Sequence, residues 1–188
     1  FFFFVIHDFA TTKFDESDLV FLLAYPFRNL MKVSMQGKNE DIKIPKLGFI
    51  VEVKYLYATK SVAGNYTSKR SFEESFLKDY NWLVNELKMG EKGKRAFVVG
   101  WFNTYHSFSN VMQLGSSAGK NPKIDEKKLD YFPFLKIPGY NSNISDIEYN
   151  YRPESVQSRP VQIHGIEADI EYIFLGKESD VFHFVIYH

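Results

Sequence analysis

Two strand-like runs, Asp41–Ile44 and Phe49–Leu56, are separated only by Pro45-Lys46-Leu47-Gly48, and this pairing constrains the fold of the 188-residue chain more than any other feature. Proline followed by glycine between apolar runs is the punctuation of a tight turn, so the runs should fold back on one another. Strand side chains alternate between faces. Ile50, Glu52 and Lys54 therefore share one face, and Phe49, Val51 and Val53 share the other. A turn centred between Lys46 and Leu47 sets Ile44 against Phe49, Ile42 against Val51 and Asp41 against Glu52. One face becomes apolar, while the other gathers Asp41, Lys43, Glu52 and Lys54.

A strong helix and a buried strand follow the hairpin. Ser71 and Glu74 have the spacing of a capping box, in which each side chain satisfies a free backbone N–H of the first turn. Phe72, Phe76, Tyr80, Leu83 and Leu87 then recur every three or four residues, and Gly90 supplies a stop. Ala96–Phe102 is almost wholly apolar and reads as a buried strand. Ahead of the hairpin, Asp15 and Asp18 precede Leu19, Leu22, Leu23, Phe27 and Leu30 at helical spacing, with Pro26 expected to end the first part near Tyr25. Residues 1–10 read as a strand or buried apolar start, and Gln36–Glu40 as a polar patch. Beyond residue 104 helical periodicity fades. Ile166–Leu175 and Val181–Tyr187 flank Gly176–Asp180 as a closing hairpin.

Opposed carboxylates such as Asp41 and Glu52 repel, at a cost of about 0.2–1 kcal/mol. A divalent cation turns that repulsion into a binding site. Mg²⁺ takes one or two carboxylates together with water and phosphate oxygens, and Lys54 would stand beside it.

On these residues the chain resembles a known family. Asp41-Ile42 followed by Ile50-Val51-Glu52-Val53-Lys54 is similar to the pattern of the PD-(D/E)XK nuclease superfamily, the fold of many restriction and repair endonucleases. The resemblance implies an α/β fold, a mixed central β-sheet flanked by helices. Its order is a helix, the strands with the acid and the E-x-K, a second helix and a buried strand, here residues 15–31, 41–56, 71–89 and 96–102. It implies a single domain with a nuclease-like core over about 15–103 and a β-rich extension over 104–188. It further implies that Asp41 and Glu52 bind Mg²⁺ (or Mn²⁺ in its place) with the Val53 carbonyl, and that Lys54 is the catalytic lysine. A further acid from the first helix is common in the family, and Glu16 or Asp18 is the nearby candidate. Glu40 stands where a proline often precedes the first acid. The implied activity is a metal-dependent DNA endonuclease of the restriction type, and a homodimer would match a two-fold symmetric site.

The composition sets bounds on this reading. Lys plus Arg equal Asp plus Glu, 23 against 23, which argues against a dominant phosphate-tracking surface. With no cysteine there are no disulfides or thiolate metal sites, which suits a cytoplasmic protein. The longest apolar run, Leu19–Phe27, is far short of the ~20 residues a membrane span needs, so no membrane partner is expected. The sequence begins without Met or a basic segment, a poor signal peptide, and its true N-terminus is expected to lie upstream. The 19 Phe and 12 Tyr point to core packing ahead of base stacking.

Other residues carry weaker signals. Lys60, Lys69 and Arg70 flank a loop where they could meet a phosphate backbone, and Asn103, Tyr105 and His106 follow the last core strand. Gly115–Lys120 lacks the ending of a phosphate loop, since Asn121 follows Lys120. His164, His183 and His188 match no metal spacing. The sequons at Asn65 and Asn143 arise readily by chance. An E-x-K strand is also common on any half-exposed hairpin. Two other readings therefore stand beside the nuclease: a catalytically silent nuclease-fold module that binds protein or nucleic acid, and a β-rich ligand-binding or surface protein.

Overall fold

A computed structural model describes residues 14–30, 32–37, 40–56, 71–89, 93–103, 108–117, 122–136, 143–151, 156–163 and 166–188. The expectations for residues 1–10, for Lys60, Lys69 and Arg70, for Tyr105 and His106, and for Lys120, Asn65 and His164 lie outside them.

Asp15 opens the first helix, α1 (Glu16–Ala24), through a capping box in which its carboxylate accepts from Ser17 and Asp18 while Asp18 accepts from the Asp15 amide. Pro26 then forces a single 3-10 turn, Tyr25–Phe27, as its spacing predicts. Three antiparallel strands follow: β1 (Lys32–Gly37), β2 (Glu40–Ile44) and β3 (Phe49–Leu56). The turn from β2 to β3 closes on Gly48 at φ +61°, a conformation that a side chain disfavours. Its register is the expected one where the strands pair, with Ile42 facing Val51, Lys43 facing Ile50 and Ile44 facing Phe49, but the ladder stops short of the expected pair of Asp41 with Glu52. β1 is an addition to the expected elements.

The second helix begins as a π-helical turn at Ser71–Phe76 and continues as α2 (Leu77–Met89). It carries the chain to β4 (Lys94–Phe102), which lies parallel to β3 from Phe49 beside Lys94 to Leu56 beside Trp101. Two apolar faces result. On one, Leu19, Val20 and Ala24 of α1 pack on Ile42, Val51, Val53, Ala96 and Val98. On the other, Phe76, Tyr80 and Leu83 of the second helix pack on Leu56, Phe97 and Val99. Burial on both faces explains the unbroken apolar text of β4. Leu87, expected on the inner face, is instead 38% exposed near the helix end.

The C-terminal half completes the same sheet. β7 (Gln157–Ile163), β8 (Ile166–Leu175) and β9 (Phe182–Tyr187) form an antiparallel meander, and β9 pairs antiparallel with β4. The seven strands run β1-β2-β3-β4-β9-β8-β7. Between β4 and β7 lie two short helices, α3 (Phe108–Val111) and α4 (Glu126–Leu129), and a small ladder of β5 (Leu135–Lys136) with β6 (Glu148–Tyr149). This segment sends Phe108, Met112, Leu114, Phe132 and Phe134 onto the face already covered by α2. The aromatic surplus is spent there: Phe76 meets Phe132 at 4.8 Å and Phe97 at 5.4 Å between ring centroids. Each such ring contributes about 1.5–3 kcal/mol on burial. No described helix is long and apolar enough to cross a membrane.

Candidate metal centre at the open edge of β3

β2 pairs with β3 only over Phe49–Val51, which leaves the edge of β3 beyond that point without a ladder partner on this side among the described residues. Backbone N–H groups on a buried edge must find acceptors, and side-chain carboxylates supply them. Asp41 Oδ2 accepts the Val53 N–H at 2.8 Å, and Glu16 Oε2 accepts the Tyr55 N–H at 3.1 Å. One acid comes from the end of β2 and the other from the first turn of α1. The two carboxylates thus continue the ladder that β2 leaves unfinished.

Lys54 lies between those two amides in sequence, and its ammonium joins elements from both faces of the sheet. Nζ stands 3.1–3.2 Å from the Glu16 carboxylate and 3.3 Å from Asp79 Oδ2 of α2. Burial pulls the Lys54 pKa down, but Glu16 and Asp79 outweigh it and the net shift is upward, which keeps the ammonium charged.

Glu52 is the group whose ionisation is most disturbed. It is 8% exposed, and its Oε2 has no hydrogen-bond partner among the described residues. Burial first, then the charges of Asp41 and Asp79, push its carboxyl up to about 8. Asp79 is 4% exposed, with Oδ2 against the Lys54 ammonium, and burial raises its pKa against the pull of Lys54. Asp41 is raised chiefly by burial as well, with the Val53 amide opposing. Four carboxyl groups thus converge on one ammonium in a poorly hydrated place, where holding a proton relieves their mutual repulsion. Such a set gains from a cation.

The donors have the chemistry that Mg²⁺ requires: all oxygen, with one buried carboxylate oxygen unclaimed. Asp41, Glu52 and the Val53 carbonyl are the residues that would hold it. Asp41 is turned to the Val53 amide, and no set of three or more His, Asp or Glu side chains among the described residues is arranged around a common metal position.

The structure brings Asp41, Glu52, Lys54 and Glu16 together. Asp18 is not among them, because it is engaged in capping its own helix. Asn103 has a different partner: its Oδ1 accepts from the Tyr149 hydroxyl, which accepts in turn from the Trp101 indole. His183 is fully buried beside Lys177 O at 3.1 Å, and His188 pairs at 3.8 Å with Glu171. Asp79 was not anticipated from sequence. Its signal was present, for it sits three residues after Phe76 and four before Leu83, an acid on the apolar face of a helix. Comparison with protein-family models, curated proteins and solved structures gives no match.

Proposed function

We propose that this chain is a Mg²⁺-dependent phosphodiester hydrolase acting on DNA, an endonuclease of the PD-(D/E)XK kind. The observation that carries this reading is Glu52: a buried carboxylate, beside Asp41 and two residues from Lys54, with an oxygen unclaimed among the described residues, on a stretch of β3 that β2 does not pair with. The order of helix, antiparallel β1–β3, crossover helix and parallel β4 also agrees with the order that the family resemblance implies.

A bound Mg²⁺ would supply an acidified water and would offset charge on the phosphate. Asp41 and Glu52 hold and orient, and Asp41 keeps its geometry through the Val53 amide. The Lys54 ammonium offers positive charge to a phosphate oxygen. In hydrolysis the water oxygen bonds to phosphorus, one P–O ester bond breaks, and the departing oxygen takes a proton. Two active sites related by two-fold symmetry would cut both strands, so a homodimer belongs to this proposal, as does a cytoplasmic setting for a chain without cysteine.

The test is cleavage of supercoiled plasmid DNA with MgCl₂ or MnCl₂ by wild type and by Lys54→Ala. Metal-dependent nicking that is absent from the variant supports the proposal; equal nicking by both would sink it. A second reading, a silent nuclease-fold module that binds a macromolecular partner, is favoured by one observation: Lys54 is held at close range by Glu16 and Asp79. It predicts no cleavage and no divalent-cation binding at Glu52.

A further inference from the structure

We propose that Asp79 is a positioning residue for Lys54: from α2 it holds the ammonium on the side opposite Glu16, and so fixes where the lysine's charge is presented. This rests on the nuclease reading for its consequence in catalysis, though the placement of Lys54 itself does not. Asp79 stands on the inner face of the second helix among Phe76, Tyr80 and Leu83, where an apolar side chain would pack without desolvating a charge. It is 4% exposed, and its Oδ2 lies 3.3 Å from Lys54 Nζ, so the ammonium is the charge partner of this buried acid. A carboxylate seldom occupies such a place for stability alone, because desolvation offsets the attraction within an ion pair.

The geometry gives the acid a task. The Lys54 stem leaves β3 between two amides whose acceptors are Asp41 and Glu16. A four-carbon side chain has many rotamers, and one partner restricts it only to an arc. Glu16, from the helix on one face, and Asp79, from the helix on the other, together fix a point. Glu16 is the more accessible of the two, with 40% of its side chain exposed against 5% for Asp79. Asp79 is therefore the fixed post, and Glu16 is the partner that can yield when a phosphate approaches. Small errors in the placement of a reacting group are costly in rate, so the loss of such support should reduce turnover more than binding.

The experiment compares wild type with Asp79→Asn, which keeps shape and removes charge, and with Asp79→Leu, which packs as its neighbours do. Three readouts are taken: thermal midpoint, kcat and KM on plasmid DNA with MgCl₂, and the NMR signal of the Lys54 ammonium, whose protons are seen when ion pairs slow their exchange with water. The proposal expects kcat to fall by roughly 10–100-fold in both variants with KM little changed. It expects the thermal midpoint to be retained or raised in Asp79→Leu, and the Lys54 ammonium signal to shift or vanish. A variant that unfolds at lower temperature yet keeps wild-type kcat and an unchanged Lys54 signal would reduce Asp79 to a packing role and overturn the proposal. Should wild type cut nothing under any metal, the nuclease reading falls, and the Lys54 signal still decides whether Asp79 positions the lysine.

Discussion

Asp41 Oδ2 receives the backbone N–H of Val53 at 2.8 Å, so the acid on β2 is tied to the residue between Glu52 and Lys54. That bond ties the three candidate catalytic residues to one piece of backbone. Shifting the hairpin register by one residue would break the bond and turn Glu52 to the other face. The site and the hairpin therefore stand or fall together, and the predictions below use this dependence.

Asp41→Ala, Glu52→Ala and Lys54→Ala should each reduce metal-dependent cleavage by at least about a hundredfold. Glu52→Ala also removes a poorly satisfied buried acid, so its circular dichroism spectrum should match wild type. Nicking of plasmid by Glu52→Ala at the wild-type rate would remove that residue from the site.

Glu52 gives the fold a pH dependence of definite sign. Its carboxyl titrates near 8 in the folded chain against 4.5 without the surrounding protein. Between those values the folded state keeps a proton that the unfolded state has released, so stability should fall as pH rises through this window and then level off. Asp41 and Asp79, also raised, add to the slope at its acidic end. Thermal melts of wild type and Glu52→Gln across pH 4.5–8 check this, and parallel curves would show that Glu52 is not so perturbed.

Cation binding should carry the opposite dependence. Occupancy at Glu52 requires the ionised carboxylate, so MgCl₂ should raise the thermal midpoint more at alkaline pH than at acid pH. In Glu52→Gln the Mg²⁺-induced rise should disappear. Isothermal titration with MnCl₂ offers an independent check, since heat of binding retained in the variant would place the ion elsewhere.

His183 sets a separate limit on the acid side. Its ring is fully buried with Nδ1 unpartnered among the described residues, and burial lowers its pKa from 6.5. Below that value the unfolded chain takes up a proton that the folded chain resists, so this residue's share of stability should be lost as pH falls through 6.5 and below. His183→Phe should flatten the decline, as read from melts on the acid side.

Gly100 is a packing constraint beneath α1. A Cβ there would come within 2.8 Å of the Phe182 ring and 2.9 Å of the Leu19 side chain. Gly100→Val should cost about 1–3 kcal/mol through forced repacking. Urea unfolding would measure the loss, and an unchanged midpoint would mean that α1 yields freely.

The parts legible in the sequence were those governed by near neighbours. Gly48 and Pro45 mark the turn, and alternation sets the hairpin register, so Ile42 opposite Val51 could be placed without a structure. The aromatic period marked the second helix, although it begins as a π-helical turn, and Ser71's side chain lies outside the described residues. Less legible were features fixed by distant packing. β1, Lys-Val-Ser-Met-Gln-Gly, is short, its alternation spans only five residues, and its pairing with β2 identifies it as a strand. Asp79 was overlooked because helical periodicity sorts residues by apolar spacing and passes over an acid that breaks it. Glu16 was named as one of two choices; α1's orientation toward Tyr55 decides between them.

The pairing of β4 with β9 has a consequence for the order in which the chain matures during synthesis. β3 and β4 are made before β9, and Val98 and Val99 obtain their partners Ile186 and Val185 only after some eighty further residues have been made. Until then an apolar strand edge lies bare, a template for pairing with other chains. Such long-range closure is slow compared with helix formation. Chains that present β4 without β9 should therefore depend on chaperones, and chains in which β9 has paired with β4 should not.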